Sequence, residues 1–250
     1  MTIASRASGI SPFSLPGRLL RAPLALVPKN MVVRVKTGVN QGKLWVTGVG
    51  TNGCWIGTYE EDHIAALQRL VRPGMAAYDV GANAGYYTLA LSKLVGDSGH
   101  VYSFEPEARN ACALQRHIQL NALSNVTLVQ AAVSDKVGMA GFEGAFGTAK
   151  ISANGAYQVP TISLDEFVAS GNPVPEFIKM DIEGAERSAL RGAASILSRR
   201  EAIWMMATHS DQLRDECRAM MAGYGYSFKG FDGQGEAGAE GDFLALPGQA

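Results

Sequence analysis

The run Tyr78-Asp79-Val80-Gly81-Ala82-Asn83-Ala84-Gly85-Tyr86-Tyr87 holds the first residues that could do chemistry. An apolar stretch ends in an acid, turns on two glycines and enters a helical pattern. Such a turn offers backbone N–H groups and a carboxylate to a nucleotide-like ligand. Asn83 stands where G-x-G-x-x-G carries its middle glycine, a departure that weakens a dinucleotide reading. Glu105 lies twenty residues beyond Gly85, closing the apolar run Val101-Tyr102-Ser103-Phe104. At that distance an acid accepts hydrogen bonds from ribose hydroxyls. A solvated strand-end glutamate is the plainer alternative.

A third set is Lys179-Met180-Asp181-Ile182-Glu183-Gly184-Ala185-Glu186. Its acids could face a cationic cofactor centre or hold a divalent ion through oxygen. Glu186 equally suits a helix N-terminus, where negative charge complements the macrodipole. The fourth is Thr208-His209-Ser210. Of the four histidines, only His209 falls at a predicted strand end on the ligand side, where a neutral imidazole can act as general base. Asn121 ends a helix as a C-cap and is also a candidate cofactor contact.

The elements that must position these residues follow from periodicity. Residues 31–36 and 43–48 read as strands around Asn40-Gln41-Gly42, a hairpin. A helix over 59–71 stops at Pro73-Gly74. Strands 76–80, 100–105, 126–133, 177–182 and 202–208 then alternate with helices 85–95, 107–121, 184–199 and 211–223. The stretch 137–157 reads as Gly-rich and irregular, leading into Thr161–Phe167. Strands 226–231 and 242–246 have no helix between them, so one strand near the sheet edge runs antiparallel. The rest is an α/β fold with a parallel doubly wound sheet. Ligands there sit beyond the carboxyl ends of the strands, where all four sets fall.

With 47% hydrophobic residues the chain can fill a large core, and a net charge of -1 gives no global case for nucleic acid or an anionic membrane. Cys54, Cys112 and Cys217 form no metal or disulfide spacing, so a reducing cytoplasm is expected. Prolines 12, 16, 23 and 28 interrupt the N-terminal region, which reads as a non-cleaved leader with peripheral membrane contact open to residues 13–27. No run approaches the ~18 apolar residues of a membrane span.

Together these blocks resemble the FkbM family of S-adenosylmethionine (SAM)-dependent methyltransferases. The matching text is YDVGANAGYY (78–87), VYSFEP (101–106), Asn121 with NVTLVQAAVSD (125–135), TISLDEF (161–167) and IKMDIEGAE (178–186), covering about residues 55 to 210. The resemblance implies a Rossmann-like methyltransferase fold with a mostly parallel seven-stranded sheet and one antiparallel strand. The N-terminal fifty residues and the tail lie outside the resemblance, and the chain is expected to divide into a leader with β-hairpin over 1–54 and a methyltransferase domain over 55–250. The resemblance also implies O-methylation of a sugar, glycan or polyketide-type hydroxyl, with SAM as cofactor. Asp79, Gly81, Asn83 and Gly85 would line the methionine part, Glu105 would hold the ribose, and Ala132 and Val133 would flank the adenine. Asp181 would lie near the reacting methyl, while Tyr59 and Glu60 match a position that closes over the cofactor. One departure concerns His209: Ala207 supplies no carboxylate to orient it, which moves weight to Asp181 as base. No metal ligand is assigned and metal dependence stays open, since Asp181 and Glu183 alternate along one strand end and need not both reach one ion. Two alternatives stand beside this reading, a nicotinamide-dependent oxidoreductase and a SAM-fold binding protein without turnover. The acceptor is expected to be read by residues 1–55, 137–160 and 230–241.

Overall fold

The computed structural model describes residues 27–144, 150–152, 155–232 and 242–248. The expected leader, and most of the turn expected over 232–241, lie outside the described residues. A seven-stranded sheet forms the centre. Its strands in chain order are β3 (Ala76–Val80), β4 (His100–Phe104), β5 (Val126–Val129), β10 (Phe177–Met180), β11 (Ile203–Met206), β12 (Tyr226–Lys229) and β13 (Phe243–Pro247). Their spatial order is β12-β13-β11-β10-β3-β4-β5. Strands β5, β4, β3, β10 and β11 run parallel, while β13 lies antiparallel to both β11 and β12. The expected antiparallel strand is therefore β13. The chain winds outward from β3 through β4 to β5, then returns to β10 on the other side of β3. The order reverses between β3 and β10, where such sheets bind ligands.

The central strands are apolar and buried on both faces, as covered parallel strands must be. Side chains alternate between two cores. Tyr78, Val80, Ile178, Met180, Trp204 and Met206 point to one, and Ala77, Phe177 and Met205 to the other. Asp79 and Lys179 share the face of the second set. They are register partners across β3 and β10, and that pairing carries much of the site.

Helices α1 (Asn52–Ile56), α2 (Glu61–Leu70), α3 (Tyr86–Val95), α4 (Ala108–Leu120), α5 (Leu164–Ala169), α6 (Glu186–Arg191), α7 (Ala194–Arg199) and α8 (Asp211–Gly223) complete the fold. The N-terminal hairpin pairs β1 (Val32–Arg34) with β2 (Leu44–Val46). Among the described residues no helix is long and apolar enough to cross a membrane.

Four expectations need correction. The strand expected over 126–133 is two. After Val129 the chain leaves the sheet edge, and β6 (Ala132–Val133) pairs with β9 (Tyr157–Ile162) instead. The stretch expected to be irregular over 137–157 holds β7 (Gly138–Glu143) and β8 (Lys150–Ile151), which with β6 and β9 make a second, four-stranded sheet. The helix expected over 184–199 is interrupted at Gly192, where an added Cβ would stand 2.2 Å from the Ser134 carbonyl oxygen. The Asp165 carboxylate then accepts the Ser195 and Ile196 N–H groups at 2.8 and 3.1 Å, opening α7 afresh. The short helix α1 was not expected. It carries Gly53 within a five-residue span, and apolar periodicity has too little length there to show.

Candidate active site

Beyond the carboxyl ends of β3, β4 and β10 lies a cavity of about 340 Å³, within the size range of small-molecule sites. The glycine turn forms its floor. Gly81 adopts φ +81°, and a Cβ there would fall 1.8 Å from the Asp181 carbonyl oxygen, so the two strand ends meet with no room for a side chain. Asn83 adopts φ 49°, a left-handed conformation that asparagine tolerates better than most residues. Its Oδ1 accepts the Ala84 N–H at 2.7 Å. The asparagine that breaks the dinucleotide pattern thus does the conformational work of a glycine and adds a hydrogen bond.

Glu105 is 5% exposed. Its carboxylate accepts the Asn83 N–H and the Glu107 N–H, each at 2.8 Å. Burial pushes its carboxyl up to about 7, against the opposing pull of those N–H groups. The acid after β4 is therefore fixed to the turn after β3. Of the sequence-derived cofactor residues, Tyr59, Gly81, Asn83, Glu105, Ala132, Val133 and Asp181 line this cavity.

The others lie elsewhere. Asp79 is fully buried on β3 and does not reach the cavity wall. Its Oδ2 accepts the Thr88 hydroxyl at 2.6 Å, and Thr88 reaches Ser103 at 2.9 Å. Asp79 therefore supports the turn from below, because its position in the pleat aims it at α3. Gly85 adopts φ +94° under the first turn of α3, where a Cβ would meet Leu114 at 2.4 Å; it permits packing and does not line the cavity. Asn121 caps α4 as expected, but its amide faces the hairpin. Oδ1 accepts the Leu44 N–H at 2.7 Å, and Nδ2 donates to the Leu44 carbonyl at 2.8 Å. Glu60 and His209 line a second cavity, of about 260 Å³.

The hairpin is fastened at a second point, which sequence reasoning did not find. His117 is fully buried on α4. Nε2 accepts the Val46 N–H at 2.9 Å, which leaves Nδ1 to donate to the Ala84 carbonyl at 2.7 Å. The Trp45 indole stacks on the ring at 4.0 Å. Burial lowers the imidazole to about 4, so it is neutral and bonded at both nitrogens. Through it the hairpin is tied to the glycine turn, and Trp45, Gly48, Gly50, Thr51 and Cys54 become one wall of the first cavity.

Lys179 is the other residue whose role the sequence left unread. It is 5% exposed, beneath the junction of the two cavities. Nζ donates to the Gly81 carbonyl at 3.0 Å and lies 3.7 Å from both Asp79 and Asp181. The Tyr87 ring is 5.0 Å away. Burial works to lower its pKa, but the carboxylates of Asp181, Asp79, Glu60 and Glu105 outweigh it and hold the ammonium charged. Burial in turn raises the Asp79 carboxyl, against Lys179 and Thr88. An acid–base register pair could have signalled this, but register is not readable before the strands are paired.

Asp181 follows β10 and stands in the wall shared by both cavities. The chain leaves the sheet at Met180, and Glu183 takes φ 55°, which swings it back beside Asp181. The expected alternation of the two acids along a strand end is thereby corrected. His209 Nε2 lies 2.8 Å from Glu183 Oε2 and 3.5 Å from Asp181 Oδ1. The carboxylate that Ala207 cannot supply to His209 comes from Glu183, and the ligand atoms of the three residues lie within 4.8 Å of one another. Glu60 accepts the Tyr87 hydroxyl across the same wall. Burial and the Glu60 charge raise the pKa of Tyr87.

Known proteins resemble this chain in sequence and in fold. The chain is 32% identical over 143 residues to the hexuronic acid methyltransferase AglP of Haloferax volcanii, an alignment covering 55% of this chain and 58% of that relative. The FkbM methyltransferase of Methylobacillus flagellatus superposes with a TM-score of 0.51 at 16% identity, over 79% of this chain and 56% of that one. The ribosomal protein L11 methylase of Lactobacillus delbrueckii superposes with a TM-score of 0.50 at 12% identity, over 76% and 78%. The fold is thus the Rossmann-like fold of SAM-dependent methyltransferases, and the family match sets the oxidoreductase alternative aside. The model of the FkbM methyltransferase domain matches residues 79–228, more than half of the chain, which therefore belongs to the FkbM methyltransferase family.

Proposed function

We propose that this protein transfers the methyl group of SAM to a hydroxyl of a sugar or glycan. One observation carries the reading: Asp181 stands in a wall common to two adjoining cavities. The first cavity fits the cofactor by its donor set. A buried carboxylate, Glu105, suits ribose hydroxyls. Ala132 and Val133 offer an apolar wall for a base, the turn from Gly81 to Asn83 suits the amino-acid end, and Asp181 suits a cationic centre. Bound there, SAM supplies a methyl group from a cationic sulfur, which keeps the S–C electron pair as the new O–C bond forms. The second cavity, polar and reached by Asp181, Glu183 and His209, takes the acceptor. Asp181 accepts the hydroxyl proton, and His209 with Glu183 orients the hydroxyl. Free Cys54, Cys112 and Cys217 suit a reducing compartment such as the cytoplasm.

A sugar is preferred over a polyketide-type acceptor because one alignable relative is a hexuronic acid methyltransferase and charged side chains line the second cavity. The test is calorimetry with SAM, followed by mass detection of S-adenosylhomocysteine and methylated product over hydroxylated acceptors. Tight SAM binding and acceptor-dependent turnover are expected. Failure to bind SAM, or binding without turnover on any acceptor, would overturn the reading, the second outcome in favour of a binding protein.

A further inference from the structure

The second cavity has a composition that selects among sugars. Four carboxylates reach it from three separate places: Glu60 before α2, Asp181 and Glu183 after β10, and Asp242 before β13. Its basic side chains are Lys179, His63 and His209. Lys179 is already engaged, lying 3.7 Å from both Asp79 and Asp181. His63 Nε2 pairs with Asp242 at 2.8 Å, and His209 Nε2 pairs with Glu183 at 2.8 Å. Each imidazole is thus turned toward a carboxylate of the wall. No arginine lines the cavity among the described residues, so the forked donor that suits a ligand acid group is missing. Among the described residues the wall is rich in acceptors and poor in uncommitted donors. Phe231 and Tyr59 supply apolar faces. The His63 ring meets Phe231 at 4.3 Å, and Arg69 holds the Phe231 carbonyl, so α2 fixes that face.

We infer that the acceptor is a sugar without an acidic group, its hydroxyl or ammonium donors directed at these carboxylates, and that an amino sugar fits best. This rests on the methyl-transfer reading for its biology but not for its test. A hydroxyl donates to a carboxylate readily, and an ammonium adds charge complementarity. A uronate brings a fifth carboxylate into the same space, a like-charge juxtaposition that binding sites use to reject ligands. The inference therefore separates this chain from its relative named for a hexuronic acid.

The experiment reads binding apart from turnover. The full chain, saturated with S-adenosylhomocysteine, is titrated by calorimetry with the methyl glycosides of glucosamine, glucose and glucuronic acid. The expected affinity order is glucosaminide, glucoside, glucuronide, with about tenfold or more between the ends. Asp242→Asn combined with Glu60→Gln should narrow that gap at least threefold by improving the glucuronide. A circular dichroism melt confirms that the pair of changes leaves the fold intact. A single Asp242→Asn variant serves if the pair does not fold. Preference for the glucuronide, with or without added magnesium, overturns the inference. So does failure of all three glycosides to bind, or an unchanged gap in a folded variant. Loss of cofactor binding alone would sink the methyl-transfer reading while leaving the order of glycoside affinities to decide this one.

Discussion

The two buried titratable groups beside the glycine turn should make opposite and nearly equal contributions to the pH dependence of stability. His117 is neutral when folded, its pKa lowered from 6.5 to about 4. The unfolded chain takes that proton first, so its stabilising contribution is present above pH 6.5 and is lost as pH falls toward 4. Glu105 is the reverse. Its folded carboxyl is raised from 4.5 to about 7, so the folded chain takes the proton first. That contribution is present below pH 4.5 and is lost as pH rises through 7. At 1.36 kcal/mol per unit, each is worth about 2.5 to 3 kcal/mol between roughly pH 7.5 and 4.5. In the unaltered protein they largely cancel. Single substitutions should expose them. Urea unfolding at 25 °C is measured at steps across that range for the protein, His117→Gln and Glu105→Gln. The deficit of His117→Gln should shrink by about 2.5 kcal/mol on going to the acid end, because the variant no longer has a proton to exclude. That of Glu105→Gln should grow by about 3 kcal/mol over the same range. A His117→Gln deficit constant to within about 1 kcal/mol would refute the argument that this imidazole is held neutral between Val46 and Ala84.

Further outcomes follow from the same geometry. Gly81→Ala should lower stability by more than about 3 kcal/mol, since both a left-handed backbone and a backbone clash oppose the methyl; a thermal shift of under a few degrees would contradict it. Lys179→Met should cost about 3 to 5 kcal/mol by leaving the Asp79 charge buried and unpaired, and Asp79→Asn in the same chain should recover much of that loss in urea titrations. For turnover, Asp181→Asn should reduce kcat by about 10²-fold or more, the usual scale for a general base. His209→Ala should lose far less, and equal losses, or a greater loss at His209, would reverse the assignment of the proton acceptor.

The sheet was readable because its strands are short apolar runs punctuated by helices, and periodicity needs nothing beyond the chain itself. The antiparallel β13 was readable for the same reason: two strands with no helix between them cannot form a parallel crossover. Where reading failed, the deciding interaction was not local. Val126–Val129 and Ala132–Val133 look like one strand until Thr161 and Ile162 compete for the second half. Helix 184–199 looks continuous until the Ser134 carbonyl excludes a Cβ at Gly192. Asn121 reads as a cofactor contact or a cap; only the docked hairpin shows that its amide completes the backbone of Leu44.

The site follows the same division, and it sharpens what a motif can say. Gly81, Asn83 and Glu105 could be placed because a turn and an acid at fixed distance constrain each other along the chain. Lys179 could not, because its meaning arises between strands. Register sets it opposite Asp79, and its ammonium lies between that buried carboxylate and Asp181 at 3.7 Å from each. Asp79, fully buried, and Asp181 on the neighbouring strand end, each selected by sequence as functional, would repel without it. Lys179 also donates to the Gly81 carbonyl, so the charge that makes the pair tolerable holds the glycine turn as well. The acid in the wall of both cavities and the turn beneath the first are thus coupled through one buried side chain. Losing it should disturb binding in both cavities together, whereas loss of Glu105 or Asp242 should disturb only one.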